Sequence, residues 1–240
     1  MVRALLLDLD DTLLINDWNV FFPVYLDLLT RYLADLVPPE RVAVALNAGT
    51  EAMAKADGSQ GTLDRLFIDK FVAVANCDEQ RVVERFTQFY RDEFDRLQSL
   101  TTPDPASAAL VAVAKEQGIK LAIATQPYFP REAVLIRLRW AGVPAETVGY
   151  DYIPAYDSVT ACKPHPAFFQ SILAALDVAA PEALMVGDSV QTDMAAGRLG
   201  IKTYYVERGR NDDGSDVPCD ARGTLADLVK MIESGAIHEL

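Results

Sequence analysis

The chain has 240 residues, half of them hydrophobic and 24% charged, with a formal net charge of −13. That mix is one of a soluble globular protein with one large domain or two small ones. The acidic balance argues against non-specific nucleic-acid binding, which needs Lys and Arg to neutralise phosphates, yet it admits an anionic small substrate wherever a bound cation reverses the local field. Cys77, Cys162 and Cys219 stand far apart, in neither zinc-type spacing nor a disulfide framework, and read as reduced thiols of the cytoplasm. No apolar stretch approaches the ~20 residues of a membrane span. The first apolar run leads straight into Asp8 with no basic region or cleavage site before it, so neither a signal peptide nor a membrane partner is expected.

In chain order, Val2 to Leu7, broken only by Arg3, is a short apolar run that ends in Asp8-Leu9-Asp10-Asp11-Thr12. It predicts a strand buried on both faces, as in a parallel sheet. Open parallel sheets bind ligands at the carboxyl ends of their strands, where Asp8 and Asp10 emerge on one side of an extended chain. The texture then turns helical. Tyr25, Leu28, Leu29, Tyr32, Leu33 and Leu36 form one stripe, stopped by Pro38-Pro39. Leu63, Leu66, Phe67, Phe71 and Val74 form a second, and Val82, Val83, Phe86, Tyr90, Phe94 and Leu97 a third, with a weaker helix over Glu40 to Ala54. Such aromatics at helical spacing are packing residues. No strand is predicted between residues 16 and 99, which read as a helical insert after the first strand.

From Thr101 a unit repeats: a helix, a glycine that supplies the left-handed turn, then a short apolar strand. Asp104 is a candidate cap with Pro105 at the first helical position. Helix 105–117 ends at Gly118 before Ile119 to Thr125. Helix 131–141 ends at Gly142 before a weaker strand at Thr147 to Tyr150. Helix 166–176 precedes Ala183 to Val186, and helix 192–199, capped by Thr192, ends at Gly200 before Lys202 to Val206. A polar loop from Glu207 to Asp220 leads to a last helix at Thr224–Ser234. Strands alternating with helices predict a parallel sheet covered on both faces. An insert at the mouth of the first strand takes the position of a lid.

Three further strand ends carry reactive groups. Thr125 offers a hydroxyl, Lys163 stands in Ala161-Cys162-Lys163-Pro164-His165-Pro166, and Asp188 and Asp193 follow Gly187. Carboxylates gathered at one sheet edge repel one another and call for a cation, and Mg²⁺ prefers oxygen ligands. Against this stand plainer readings. Asp11 is a turn residue, Asp193 a first-turn acid meeting a helix dipole, His165 a surface residue at a helix start, His238 part of a frayed tail, and Cys162 a quiet packed thiol. Asn16, Asp17, Trp18 and Asn19 lie nearest the mouth, while Arg65 and Lys70 are solvated helix charges.

Taken in order, these residues resemble the haloacid dehalogenase-like hydrolase superfamily across all four of its motifs. Asp8-Leu9-Asp10-Asp11-Thr12 matches Asp-x-Asp-x-Thr, Thr125 the second motif, Lys163-Pro164 the third, and Gly187-Asp188-Ser189 with Asp193 the fourth. The resemblance implies a Rossmann-like three-layer α/β core, residues 1–15 and 100–240, and an all-helical cap, residues 16–99. It further implies a phosphatase acting on a small phosphorylated metabolite. Asp8 is then the nucleophile that forms an aspartyl phosphate, Asp10 the general acid and base, and Thr125 and Lys163 the ligands of the phosphoryl group. The Mg²⁺ ligands are Asp8, Asp10 through its backbone carbonyl, Asp188 and Asp193. One departure bears on the second motif: Gln126-Pro127 follows Thr125, and Pro127 has no N–H to offer a phosphate.

A phosphomutase of the same superfamily is the nearest alternative, since it uses the same core and closes more fully. A 2-haloacid dehalogenase lacks the second carboxylate of the first motif, which Asp10 supplies here. A non-catalytic, receiver-like phosphate-binding module is opposed by the insert and by the position of Lys163 ahead of Asp188. Substrate identity and oligomeric state are beyond the sequence.

Overall fold

The computed structural model describes residues 1–208 and 218–240; most of the predicted loop from Glu207 to Asp220 lies outside the described residues. In chain order the elements are β1 (Ala4–Leu7), β2 (Leu14–Asn16), α1 (Trp18–Tyr32), α2 (Pro39–Ala54), α3 (Leu63–Ala75), α4 (Glu79–Asp92) and β3 (Thr101–Pro103). They continue with α5 (Ser107–Glu116), β4 (Lys120–Ile123), α6 (Arg131–Trp140), α7 (Ala145–Val148), α8 (Pro166–Leu176), β5 (Ala183–Gly187), β6 (Lys202–Val206), β7 (Ala221–Gly223) and α9 (Leu225–Ser234).

Five strands form one parallel sheet in the order β4-β1-β5-β6-β7. Leu5 and Leu7 of β1 join an apolar cluster with Leu110 of α5 and Leu228 of α9, whereas Ala4 and Leu6 join another with Phe168, Phe169 and Ile172 of α8. That alternation of side chains across a strand makes three layers, and it explains why β1 is apolar at every position. The predicted α/β fold is the observed one. Gly118, Gly142 and Gly200 end their helical segments at φ values of 69°, 74° and 78°, where a side chain would be strained.

Local departures have local causes. The strand predicted at Thr147 to Tyr150 is instead α7, capped by Gly149, and the chain meets β4 only through an isolated bridge between Tyr152 and Ala122. Asp151 explains the lost ladder, because its carboxylate accepts the Leu121 N–H at 2.8 Å and stands in for a backbone partner. The helix predicted at 192–199 is a 3-10 segment, Met194–Leu199; Ser189 Oγ accepts the Thr192 N–H, so Thr192 is not its cap. The helix predicted from Pro105 begins at Ser107, because Asp104 closes a turn on the Ala106 N–H at 2.9 Å.

The segment between β2 and β3 holds α1 to α4 and a 3-10 segment, Phe94–Leu100. The ends of that segment pair with each other: β2 and β3 form an antiparallel ribbon, Leu14 opposite Pro103 and Asn16 opposite Thr101. Strand pairing at this junction was not anticipated from the three-residue runs, which are too short to carry a period. The helices pack on α6 through Phe94, stacked 5.3 Å from Trp140, whose indole N–H donates to Asp95 at 2.8 Å. Among the described residues no helix is long and apolar enough to cross a membrane.

Candidate active site

The parallel register delivers the reactive groups to one edge. Asp8 leaves β1 beside the end of β5, its N–H donating to the Val186 carbonyl, and Ala124 N–H donates to Leu7 on the other flank, which sets Thr125 next along the same edge. Asp188 follows β5 directly. One ligand oxygen from each of Asp8, Asp188 and Asp193 lies within 4.8 Å of the others.

Lys163 ties this cluster together. Its buried Nζ donates to Asp8 Oδ1 at 2.9 Å and to Asp193 Oδ1 at 2.6 Å, across separations of 155 and 30 residues. The backbone of Lys163 is held in turn by Gln126: Gln126 Nε2 donates to the Lys163 carbonyl at 3.0 Å and the Lys163 N–H donates to Gln126 Oε1 at 2.9 Å. Gln126, next to Thr125, therefore has a positive role, as a two-way clamp between the Thr125 loop and the lysine. The Lys163-Pro164 peptide bond is cis. Asp193 is fully buried, and its Oδ2 accepts the Ser189 N–H at 3.0 Å. A Cβ at position 187 would meet that oxygen at 2.2 Å, so Gly187 is what lets Asp193 lie against β5. The first-turn reading of Asp193 is thereby replaced: it anchors Lys163 and the Ser189 turn.

The electrostatics follow from burial. Asp8 is pushed well above the usual carboxylate range by desolvation, with the charges of Asp193 and Asp188 adding to it and Lys163 opposing it. Asp188 is raised to about 7 by burial, then by Asp193 and Asp11. For Lys163, burial works against the ammonium, but the two carboxylates outweigh it and hold the proton on. Three carboxylates against one ammonium leave two negative charges in excess when all are ionised, so the donor set fits a divalent cation with hard oxygen ligands. Asp8 and Asp188 are placed to bind such an ion, and Asp193, with both oxygens engaged, supports them.

Asp10 departs from this group. Its carboxylate turns away to two partners, Asn16 Nδ2 at 3.0 Å and the guanidinium of Arg137. Arg137 is buried on α6, donates Nε–H to the Ala133 carbonyl at 3.2 Å, and lies 4.5 Å from the centre of the Phe129 ring. Arg137 Nη2 and Asn16 Oδ1 are buried without a protein hydrogen-bond partner, which makes the surroundings of Asp10 the least satisfied polar region of the site. Sequence reading missed Arg137; the one signal was a third basic residue, with Arg131 and Arg139, on a largely buried helix. Thr12, also buried, donates its hydroxyl to Asp8 Oδ2 over a long 3.4 Å.

Other sequence expectations find plain places. Asp11 occupies a turn at φ 53° and its carboxylate accepts the Asn16 N–H. His165 caps α8, its Nδ1 accepting the Ala167 N–H at 3.2 Å. Cys162 is buried, and burial lifts its thiol to about 12, which makes it inert. Arg65 pairs with Asp69 and Glu79 on the surface.

A parallel sheet with an acid and lysine cluster at its carboxyl edge defines an α/β core with a candidate active site at that edge. Residues 2–200 match the family model of haloacid dehalogenase-like hydrolases, and the chain belongs to that family. It is 30% identical over 231 residues to a phosphoglycolate phosphatase of Rhodospirillum rubrum, covering 94% of this chain and 86% of that one. It is 32% identical over 136 residues to a phosphoserine phosphatase of Thermus thermophilus, covering 55% of this chain and 51% of that one. The chain thus matches about half the length of the phosphoserine phosphatase. Among solved structures, a HAD phosphatase from Thermococcus onnurineus shares the fold with a TM-score of 0.60 and 22% identity, over 96% of this chain and 98% of that one.

Proposed function

We propose that this protein is a Mg²⁺-dependent phosphoric monoester hydrolase that cleaves a small phosphorylated metabolite through an aspartyl phosphate, with helices α1 to α4 as its cap. The observation that carries the reading is the buried Lys163 bridge from Asp8 to Asp193, with Asp188 beside it. Such a cluster is costly to bury and has no packing role that apolar side chains would not fill better.

Lys163 fixes Asp8 Oδ1, while Oδ2 has only the long Thr12 contact and keeps lone pairs for attack on phosphorus. The Asp8 oxygen bonds to phosphorus as the bond to the leaving oxygen breaks, and a proton from Asp10 goes to that oxygen. Asp10 then takes a proton from water as the water attacks the aspartyl phosphate, releasing phosphate and restoring Asp8. Lys163 and the Thr125 hydroxyl offset charge on the phosphoryl oxygens. Asp8, Asp188 and the Asp10 carbonyl would hold Mg²⁺, with Asp193 in support. When bound, the ion lowers the repulsion between carboxylate and phosphate.

The test is phosphate release from a generic aryl phosphate with and without Mg²⁺. Asp8→Asn is expected to lower the rate by at least ~10⁴-fold with an unchanged circular dichroism spectrum. Equal release by wild type and Asp8→Asn would remove the proposed nucleophile.

A further inference from the structure

The helical insert walls a cavity of about 420 Å³, lined by Trp18, Phe22, Tyr25, Phe67, Phe129 and Tyr156 among others. It stands between helices α1 to α4 and the loop that follows Thr125. Among the described residues, its remaining polar atoms come from Asn47, Thr50 and tyrosine hydroxyls, and no charged side chain lines it. Its size is that of a small-molecule site, roughly 300–1,000 Å³.

Three wall residues connect it to the chemistry. Trp18 follows Asn16, which grips Asp10, by two positions in the chain. Phe129 stacks on Arg137, which holds the other oxygen of Asp10. Tyr128 accepts a long 3.4 Å bond from Gln126, the clamp on Lys163. In a displacement by Asp8 the leaving oxygen lies opposite the attacking one, and the group that protonates it must be next to it. The leaving group therefore extends on the Asp10 side, and Phe129, in the cavity wall, lies against the Arg137 that holds Asp10. Trp18 and Phe22 leave 43% and 37% of their surface exposed while stacked on each other, apolar area that awaits a partner.

We infer that the substrate's leaving group is uncharged and apolar, a ring or alkyl chain seated among these aromatics, and not a second acid such as a carboxylate. This rests on the phosphatase reading and narrows its substrate class. A carboxylate moved into this cavity would lose its hydration and meet no charged side chain in the lining, since the guanidinium of Arg137, behind Phe129, is buried and paired with Asp10.

The test compares kcat/KM for ethyl, butyl, hexyl and benzyl phosphates, whose leaving alcohols differ little in acidity, with phosphoglycolate and phosphoserine. The expected result is a rise of about fourfold per added methylene, with benzyl phosphate at least tenfold above both acids. Phe22→Asp should flatten that slope to below about 1.5-fold per methylene by the same burial logic. Binding without turnover is read from tryptophan fluorescence: hexylphosphonate should bind at least ~100-fold tighter than methylphosphonate. Asp8-dependent turnover with a flat slope, or with either acid preferred, overturns the inference and leaves the phosphatase standing. Graded phosphonate binding with no turnover of any ester supports the cavity and sinks the phosphatase. Equal phosphonate affinities overturn the cavity assignment whatever the turnover.

Discussion

The carboxyl edge of the sheet and the aromatic cavity under helices α1 to α4 are built on opposite principles. At the edge, directed bonds hold the core of the cluster: Lys163 by two carboxylates and by Gln126, Asp193 by Lys163 and Ser189. In the cavity, rings meet at 5.7 to 6.1 Å in edge-on contacts, as Phe129 does with Tyr25 and Trp18. Directed bonds fix atoms to the fraction of an ångström that bond-making requires, whereas ring contacts tolerate a range of shapes. On the proposed reading, the chemistry belongs to the first region and the choice of substrate to the second.

Substitutions can break that division in graded steps. Lys163→Met strikes the edge hardest: it leaves Asp8 and Asp193 without their cation. Activity should fall by about 10³-fold and stability by about 3 kcal/mol, read by kinetics and urea melts. Recovery of the stability on adding Mg²⁺ would show that one cation can replace another there. Arg137→Met comes next, because Arg137 joins the two regions through Asp10 and Phe129. It should reduce kcat by about 10²-fold with little change in KM, and Arg137→Lys should recover only part of the loss, since an ammonium lacks the guanidinium fork. A parallel rise in KM would mean that Arg137 shapes the cavity and not Asp10.

A pH titration sharpens the edge alone. In the metal-free protein Asp188 is raised from its ordinary 3.8 to about 7, so a proton competes with the cation below that pH. Affinity for Mg²⁺ should fall about tenfold per pH unit below pH 7, and Asp188→Asn should weaken that dependence, leaving the part due to Asp8, whose carboxyl burial also raises. The sign for stability is the reverse. A carboxyl raised in the folded state contributes stability in full below pH 3.8, and the contribution is lost as the pH rises through about 7. The metal-free protein should therefore melt several degrees higher near pH 5 than near pH 8 from this group, a gap that saturating Mg²⁺ should narrow.

The smallest effect belongs to the cavity. Tyr25 and Tyr90 share a buried hydroxyl contact of 2.9 Å. Tyr25→Phe should cost about 1 kcal/mol of stability and leave hydrolysis of the smallest esters within about twofold, since Tyr25 touches no reacting group. A loss there as large as that of Arg137→Met would merge the two regions into one.

Much of the edge was legible in the order of residues. Asp8, Thr125 and Asp188 each follow a short apolar run, and a parallel sheet of such runs brings their ends together whatever the loops between them do. Glycines at 118, 142 and 200 punctuated the helices for a similarly local reason, the backbone they must adopt. The failures are also physical. Thr147 to Tyr150 reads as a strand by composition but lost its ladder to the Asp151 side chain, and Met194–Leu199 tightened into a 3-10 segment as Asp193 was drawn under β5. The boundary of the helical insert hid a strand pair of three residues a side.

The one-dimensional chain determined which chemical groups the protein owns and which strand ends carry them, because strand periodicity and turn chemistry act over a few residues. Tertiary structure alone decided that Asp10 belongs to Arg137, 127 residues away, that Gln126 clamps Lys163, and that rings from α1, α3 and the Thr125 loop enclose one uncharged cavity. Partners at such distances are chosen by how layers stack and by which buried polar groups are left to satisfy one another, and no local pattern of residues encodes that choice.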